Sequence, residues 1–96
     1  MSYRLIKSSN FEKVAKKFLK KYPEKIAAFS LILKLLEQNP FDKSLKTHKL
    51  HGKLFPLWAS SIDFSNRILY KIINLNSENE DDVILLVTVG THEEVY

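Results

Sequence analysis

The 96-residue sequence contains no cysteine. Disulfides, thiolate metal sites and a cysteine nucleophile are thereby excluded, and the absence suits a reducing compartment. Long apolar runs are missing too. The longest unbroken one, Val83 to Val87, continued past Thr88 to Val89, is far too short to cross a bilayer. Behind the charges of Met1 to Lys7 lies no apolar stretch of the kind a secretory signal requires. There is no repeat, no low-complexity tract and no linker long enough to separate two domains. These absences lead us to expect one soluble, cytoplasmic domain over residues 1–96. With 45% apolar and 27% charged residues, the composition is that of an ordinary globular chain, long enough to bury a single core.

Charge is unevenly distributed. Residues 1–53 hold 13 of the 15 Lys and Arg but only 4 of the 11 Asp and Glu, a net +9. Residues 54–96 hold the remaining 2 and 7, a net −5. The basic half suits a polyanion or an acidic protein partner; the plainer alternative is a pair of solvated, lysine-rich helix faces.

Hydropathy patterning orders the elements. Tyr3 to Lys7 fits a short edge strand. Ser8-Ser9-Asn10 supplies helix N-cap residues. Phe11, Val14, Ala15, Phe18, Leu19 and Tyr22 then recur at helical spacing, with Lys13, Lys16, Lys17, Lys20 and Lys21 on the other face. Pro23 breaks this helix and opens the next. Ile26, Phe29, Leu33 and Leu36 form the second stripe, and Ala28, Ile32 and Leu35 widen it, which predicts burial on more than one side. Asn39-Pro40 ends it. Phe41 to Lys53 reads as a polar, basic loop. Strands are predicted at Leu57–Ile62 and Arg67–Asn74 around an Asp63–Asn66 turn, then, after an acidic turn, at Val83–Val89, ended by Gly90. The order β-α-α-β-β-β predicts an α+β domain, two antiparallel helices packed on a mostly antiparallel four-stranded sheet.

Few polar residues suit chemistry. His48 and His51 lie in the basic loop, Arg67 opens a strand, and His92 and Tyr96 follow the last strand. In an antiparallel meander the start of one strand and the end of its neighbour can meet, which allows Arg67 and His92 to converge. A base, an acid and a fixed cation are what RNA cleavage needs when the adjacent 2′-hydroxyl is the nucleophile, with neither metal nor thiol required. Lys46, Lys49 and Lys53 around His48 favour the neutral imidazole of a base, whereas Glu93 and Glu94 beside His92 favour the protonated form of an acid. Simpler roles stand beside these. His48, His51 and His92 could hold a divalent metal, although no recognisable ligand series supports it. His51 could cap the loop near Gly52, Arg67 could pair with Asp63 across the turn, Tyr96 could cover a core edge, and Trp58 fits a packing role.

Four segments together carry a resemblance. Leu45-Lys46-Thr47-His48-Lys49-Leu50-His51-Gly52, Leu57-Trp58-Ala59, Asn66-Arg67-Ile68-Leu69-Tyr70 and Val89-Gly90-Thr91-His92-Glu93-Glu94-Val95-Tyr96 resemble the RelE/ParE toxin superfamily, in particular its RelE- and YafQ-type mRNA interferases. The resemblance spans the chain and implies the same β-α-α-β-β-β fold. It further implies a bacterial, cytoplasmic toxin of a type II toxin–antitoxin module, without cofactor, that cuts mRNA in the ribosomal A site and is neutralised by a cognate antitoxin. Operator DNA would be met only through that antitoxin. His48, Arg67, His92 and Tyr96 would be the catalytic set, with Arg67 on the scissile phosphate and Tyr96 orienting an mRNA base. Lys46, Lys49, His51, Lys53, Lys13, Lys17 and Lys20 would contact RNA, the helix lysines facing 16S ribosomal RNA. The sequence also departs from the pattern. Ser61 and Ser65 stand where YafQ-like toxins carry a histidine and an aspartate, and Leu57–Ile62 lacks the lysines of RelE-like toxins; Lys49 or Lys53 could supply that cation. The rival functions on this fold are a ParE-like gyrase inhibitor and a degenerate toxin retained as a corepressor.

Overall fold

The computed structural model describes residues 3–50, 57–73 and 82–91. Strand β1 (Arg4–Lys7) is followed by α1 (Ser9–Lys21) and α2 (Ile26–Gln38). Strands β2 (His48–Lys49), β3 (Trp58–Ser61), β4 (Asn66–Ile73) and β5 (Val83–Thr91) complete a sheet ordered β1-β5-β4-β3-β2. Only the β1–β5 pairing is parallel. The expected α+β architecture is therefore present, with five strands rather than four among the described residues. The fifth comes from the basic segment expected to be a loop. Lys46 adopts the left-handed conformation (φ 50°, ψ 43°) after a 3-10 turn at Lys43–Leu45, and the next residues run antiparallel beside β3. A two-residue strand leaves no periodicity to detect.

Local chemistry sets the helix ends. Ser8 is the N-cap of α1, and its hydroxyl accepts from the Phe11 amide at 3.0 Å. A 3-10 turn at Pro23–Lys25 reverses the chain, and Asn39, extended as the residue before Pro40, stops α2. Phe11 and Phe18 of α1 each place a ring centroid 6.1 Å from that of Phe29 on α2. Those rings, with Leu36 and Leu45, join Ile68, Tyr70, Ile84 and Leu86 in the main core. The broad apolar stripe of α2 is not buried on more than one side, as its width suggested. Phe29, Ile32 and Leu36 are buried, but Ile26 and Leu31 are 51% and 57% exposed, because no second layer among the described residues covers the outer side of the helix.

A bulge in the β4–β5 ladder decides which residues face the helices. Leu69 pairs with Thr88 and Tyr70 with Leu86, so Val87 is skipped. Its carbonyl accepts from the Ser8 hydroxyl (3.2 Å) and the Asn10 amide (3.0 Å), which satisfies a group the bulge would otherwise orphan. Core-facing residues of β5 consequently run Ile84, Leu86, Val89, with one interval of three. Gly90 does not end the strand, as expected, but pairs with Arg67, and Thr91 pairs with Asn66.

Candidate active face and its surroundings

Opposite the helices, Leu50, Ala59 and Leu69 form a second, smaller apolar cluster with Leu57. Registry places His48 beside Ala59, Ala59 beside Leu69, and Leu69 beside Thr88. One step along, Ser61, Arg67 and Gly90 form a second row. Paired residues in a sheet share a face, as do residues two apart along a strand. His48, Arg67 and Thr88 therefore emerge on the face opposite α1 and α2, which no helix among the described residues covers. Strand spacing alone puts the Cα atoms of His48 and Arg67 about 12 Å apart, diagonally across β3. Arg67 sits at the end of the sheet where β5 finishes, as the meander argument required. His92 and Tyr96, the other two expected catalytic residues, lie outside the described residues, as do His51 and Lys53.

The two described candidates are held differently. His48 is exposed, and its Nδ1 lies 3.1 Å from the Lys46 carbonyl oxygen. Arg67 folds back on the hairpin turn: Nη1 donates to the carbonyls of Asp63 (2.6 Å), Phe64 (3.1 Å) and Asn66 (3.1 Å). The ion pair considered between Arg67 and Asp63 does not form, because Lys25 occupies the carboxylate. Asp63 also accepts from the backbone amides of Ser65 and Asn66, both at 2.9 Å. Burial pushes this carboxyl up, but the bonds from Lys25, Asn66 and Ser65 outweigh it and hold Asp63 at about 2. A side chain read as part of a turn thus fixes the β3–β4 hairpin to the link between the helices.

Beneath the His48 segment lies a hydroxyl network that sequence reasoning missed. Ser60 and Tyr70 are completely buried, and Ser60 Oγ lies 2.6 Å from the Tyr70 hydroxyl. Thr47 Oγ1 is 2.8 Å from Ser60 Oγ, and the Thr47 hydroxyl donates to the Pro40 carbonyl. Burial raises the Tyr70 phenol above its ordinary value, opposed by Ser60 and Thr47. The network anchors Thr47, the residue before His48, to the core. Ser60, on the core-facing side of a short strand, was its sequence signal. Asp42, lowered by hydrogen bonds from the Ser44 side chain and backbone, starts the same segment.

The basic residues divide between two sides. Lys46 and Lys49 are exposed near His48, with Lys49 Nζ 5.8 Å from the centre of the Trp58 ring. Trp58 packs against the main core, as anticipated. Lys13, Lys17 and Lys20 are exposed on α1, which covers the opposite side of the sheet from His48. The structure therefore does not gather all the expected RNA-binding residues into one patch around the candidate catalytic residues.

Comparison with solved structures defines the class: the fold is that of the RelE-like toxins. A copper-bound mutant toxin from Helicobacter pylori is 25% identical, with each chain fully covered and a TM-score of 0.69. YafQ from E. coli is 17% identical over 98% of each chain, with a TM-score of 0.73. YoeB in its heterotetrameric complex with YefM from Staphylococcus aureus is 17% identical over 96% of this chain and 99% of its own length, with a TM-score of 0.68. No protein-family model matches the sequence, and the comparison with curated proteins finds no match. No helix among the described residues is long and apolar enough to cross a membrane.

Proposed function

We propose that the chain is a single-domain toxin of a bacterial type II toxin–antitoxin pair, an mRNA endoribonuclease that acts in the ribosomal A site. The observation that carries this reading is the common face of His48 and Arg67, opposite α1 and α2, at whose Arg67 end β5 finishes one residue before His92. The similarity to toxin structures supports the first part of the proposal. His48 takes the proton from the 2′-hydroxyl, whose oxygen then bonds to phosphorus as the P–O5′ bond breaks. His92 gives its proton to the departing 5′ oxygen, leaving a 2′,3′-cyclic phosphate and a 5′-hydroxyl. Arg67 leaves the turn carbonyls to meet the phosphate, and Tyr96 orients a base. Lys46, Lys49, His51 and Lys53 hold the mRNA, while Lys13, Lys17 and Lys20 meet 16S ribosomal RNA. The cognate antitoxin and the cytoplasmic 70S ribosome are the partners, and operator DNA is reached through the antitoxin.

His92→Ala and His48→Ala should each slow mRNA cleavage on programmed ribosomes by roughly 10²–10⁴-fold, with antitoxin binding unchanged. Cleavage at the wild-type rate in both variants would overturn the catalytic assignment. Filamentation with a DNA-damage response, instead of arrested protein synthesis, would replace the nuclease by gyrase inhibition.

A further inference from the structure

Phe41, between α2 and β2, is 52% exposed, yet its place is fixed. The Phe41 amide donates to Asn39 Oδ1 (3.0 Å), the Asp42 amide donates to the Asn39 carbonyl (3.1 Å), and the Thr47 hydroxyl donates to the carbonyl of buried Pro40. The Phe41 ring meets Trp58 edge to face, with centroids 5.3 Å apart and planes at 81°. In that arrangement Trp58 covers at most one face of the Phe41 ring. Register sets Lys49 beside Trp58 and Trp58 beside Tyr70, which is buried in the main core. Lys49 therefore lies on the helix side of the sheet, the opposite face from His48, and its Nζ is 5.8 Å from the centre of the Trp58 ring. Strand β2, which carries both residues, is the outermost strand at this end of the sheet among the described residues. A large aromatic ring held in water beside cations is the informative kind of exposure.

We propose that Phe41 is a stacking platform for one unpaired nucleobase of bound RNA, with Trp58 as its support and Lys43, Lys46 and Lys49 as contacts for the adjoining phosphates; that RNA is the ligand rests on the nuclease reading above. Every base offers a π-face, so an aromatic ring flanked by cations binds single-stranded RNA without reading its sequence. The charge around Phe41 suits phosphate. Lys43, Lys46 and Lys49 are all exposed and recur at every third residue, and the one carboxylate of residues 39–50 is Asp42. Ser44 engages that carboxylate through its amide (3.0 Å) and its hydroxyl (2.6 Å). A peptide fits less well. Phe41 is the only exposed large hydrophobic of residues 39–50, and a lone ring rimmed by lysines lacks the apolar surround that a peptide anchor needs. The fixed backbone on both sides of Phe41 spares the bound state the cost of ordering it. The subsite is separate from the catalytic face: an RNA strand that passes His48 reaches Phe41 by crossing the edge of β2.

Trp58 is the sole tryptophan of the chain, so its emission reports on this site directly. The test titrates the full-length protein with a short, labelled 2′-O-methyl oligoribonucleotide, which lacks the 2′-hydroxyl needed for cleavage. Wild-type Trp58 emission should change on binding, a readout that does not depend on any variant folding. By anisotropy, Phe41→Ala and Phe41→Leu should each weaken binding roughly tenfold, within the range for loss of one stacked base, and Phe41→Trp should restore it. On programmed ribosomes Phe41→Ala should raise KM and leave kcat unchanged, the signature of a contact made equally in ground and transition states. An abasic nucleotide beside the cleavage site that raises the wild-type KM alike identifies the base as one of the mRNA. An abasic message cut normally, with Phe41→Ala weakened on ribosomes that hold no mRNA, identifies it as one of 16S ribosomal RNA. Wild-type affinity in Phe41→Leu would overturn the stack, as would an unmoved Trp58 signal with Phe41→Ala binding normally; normal mRNA cutting alongside either leaves the nuclease reading standing. A protein that neither binds the probe nor cuts mRNA on ribosomes would overturn both. Weakened binding of Phe41→Ala to the small acidic protein encoded by the adjacent reading frame, with RNA affinity intact, would overturn the RNA subsite and assign the ring to a protein.

Discussion

Asp63 accepts two backbone amides and the Asn66 amide while holding Lys25, so one carboxylate closes a hairpin and ties it to the turn between the helices. Its folded-state value of about 2 lies below that of an unfolded aspartate. The stabilisation is therefore complete above about pH 4–5 and is lost as the pH falls through about 2. Asp63→Asn should cost about 1–2 kcal/mol at neutral pH after allowance for solvent screening. In denaturant melts the gap to wild type should close as the pH approaches 2. Tyr70 behaves differently, because its partners are buried hydroxyls. Tyr70→Phe removes a partner of Ser60 and should lower stability by about 1–2 kcal/mol, measured by urea unfolding at pH 7. Neither effect was visible in the sequence: the Asp63–Asn66 turn was legible, but a partner 38 residues away was not.

At the scale of elements, the sequence was most informative where one periodicity ran long enough to be counted. Both helices, the Val83 strand and the hairpin around Asp63 follow from patterning and turn residues within a few positions of each other. Two features did not. Strand β2 has only His48 and Lys49, and its existence depends on the left-handed turn at Lys46 and the anchoring of Thr47 beneath it. The bulge at Val87 depends on α1 supplying Ser8 and Asn10 to its carbonyl. Ser8 therefore serves both the helix cap and the sheet. Ser8→Ala should destabilise by about 1–2 kcal/mol, at or above the usual loss for an N-cap, while Ser9→Ala, one position along, should change the melting temperature little.

For the molecule as a whole, the uneven charge seen along the sequence becomes a division between surfaces. Lys13, Lys17 and Lys20 lie on the helix layer and Lys46 and Lys49 near the sheet edge, so a polyanion that contacts both must wrap around the protein. If the helix layer meets ribosomal RNA as proposed, affinity for a 16S fragment should fall steeply with salt. Replacing Lys13, Lys17 and Lys20 together by Gln should reduce the slope of log affinity against log salt by about 2. A filter-binding series across salt concentrations reads this directly, and an unchanged slope would remove those three lysines from the interface. The resemblance read from four short segments pointed to the same fold that the solved toxins share, because the described residues of those segments lie on the strands and turns that build the sheet. Of the candidate catalytic set, His48 and Arg67 were identifiable by residue type and spacing. Their common face was not, since it depends on the pairing of three strands.

Local sequence by itself determined the two amphipathic helices, the apolar strand Val83–Val89, the hairpin turn and the concentration of cations before residue 54. Each of these rests on side chains close together along the chain, so its pattern survives without knowledge of the rest. Tertiary structure alone decided the fifth strand, the exposed outer face of α2, the seating of Arg67 on the turn and the pairing of Phe41 with Trp58. Those depend on strand register and helix packing, where a one-residue shift sends a side chain to the opposite face, and contacts distant in the chain fix that register.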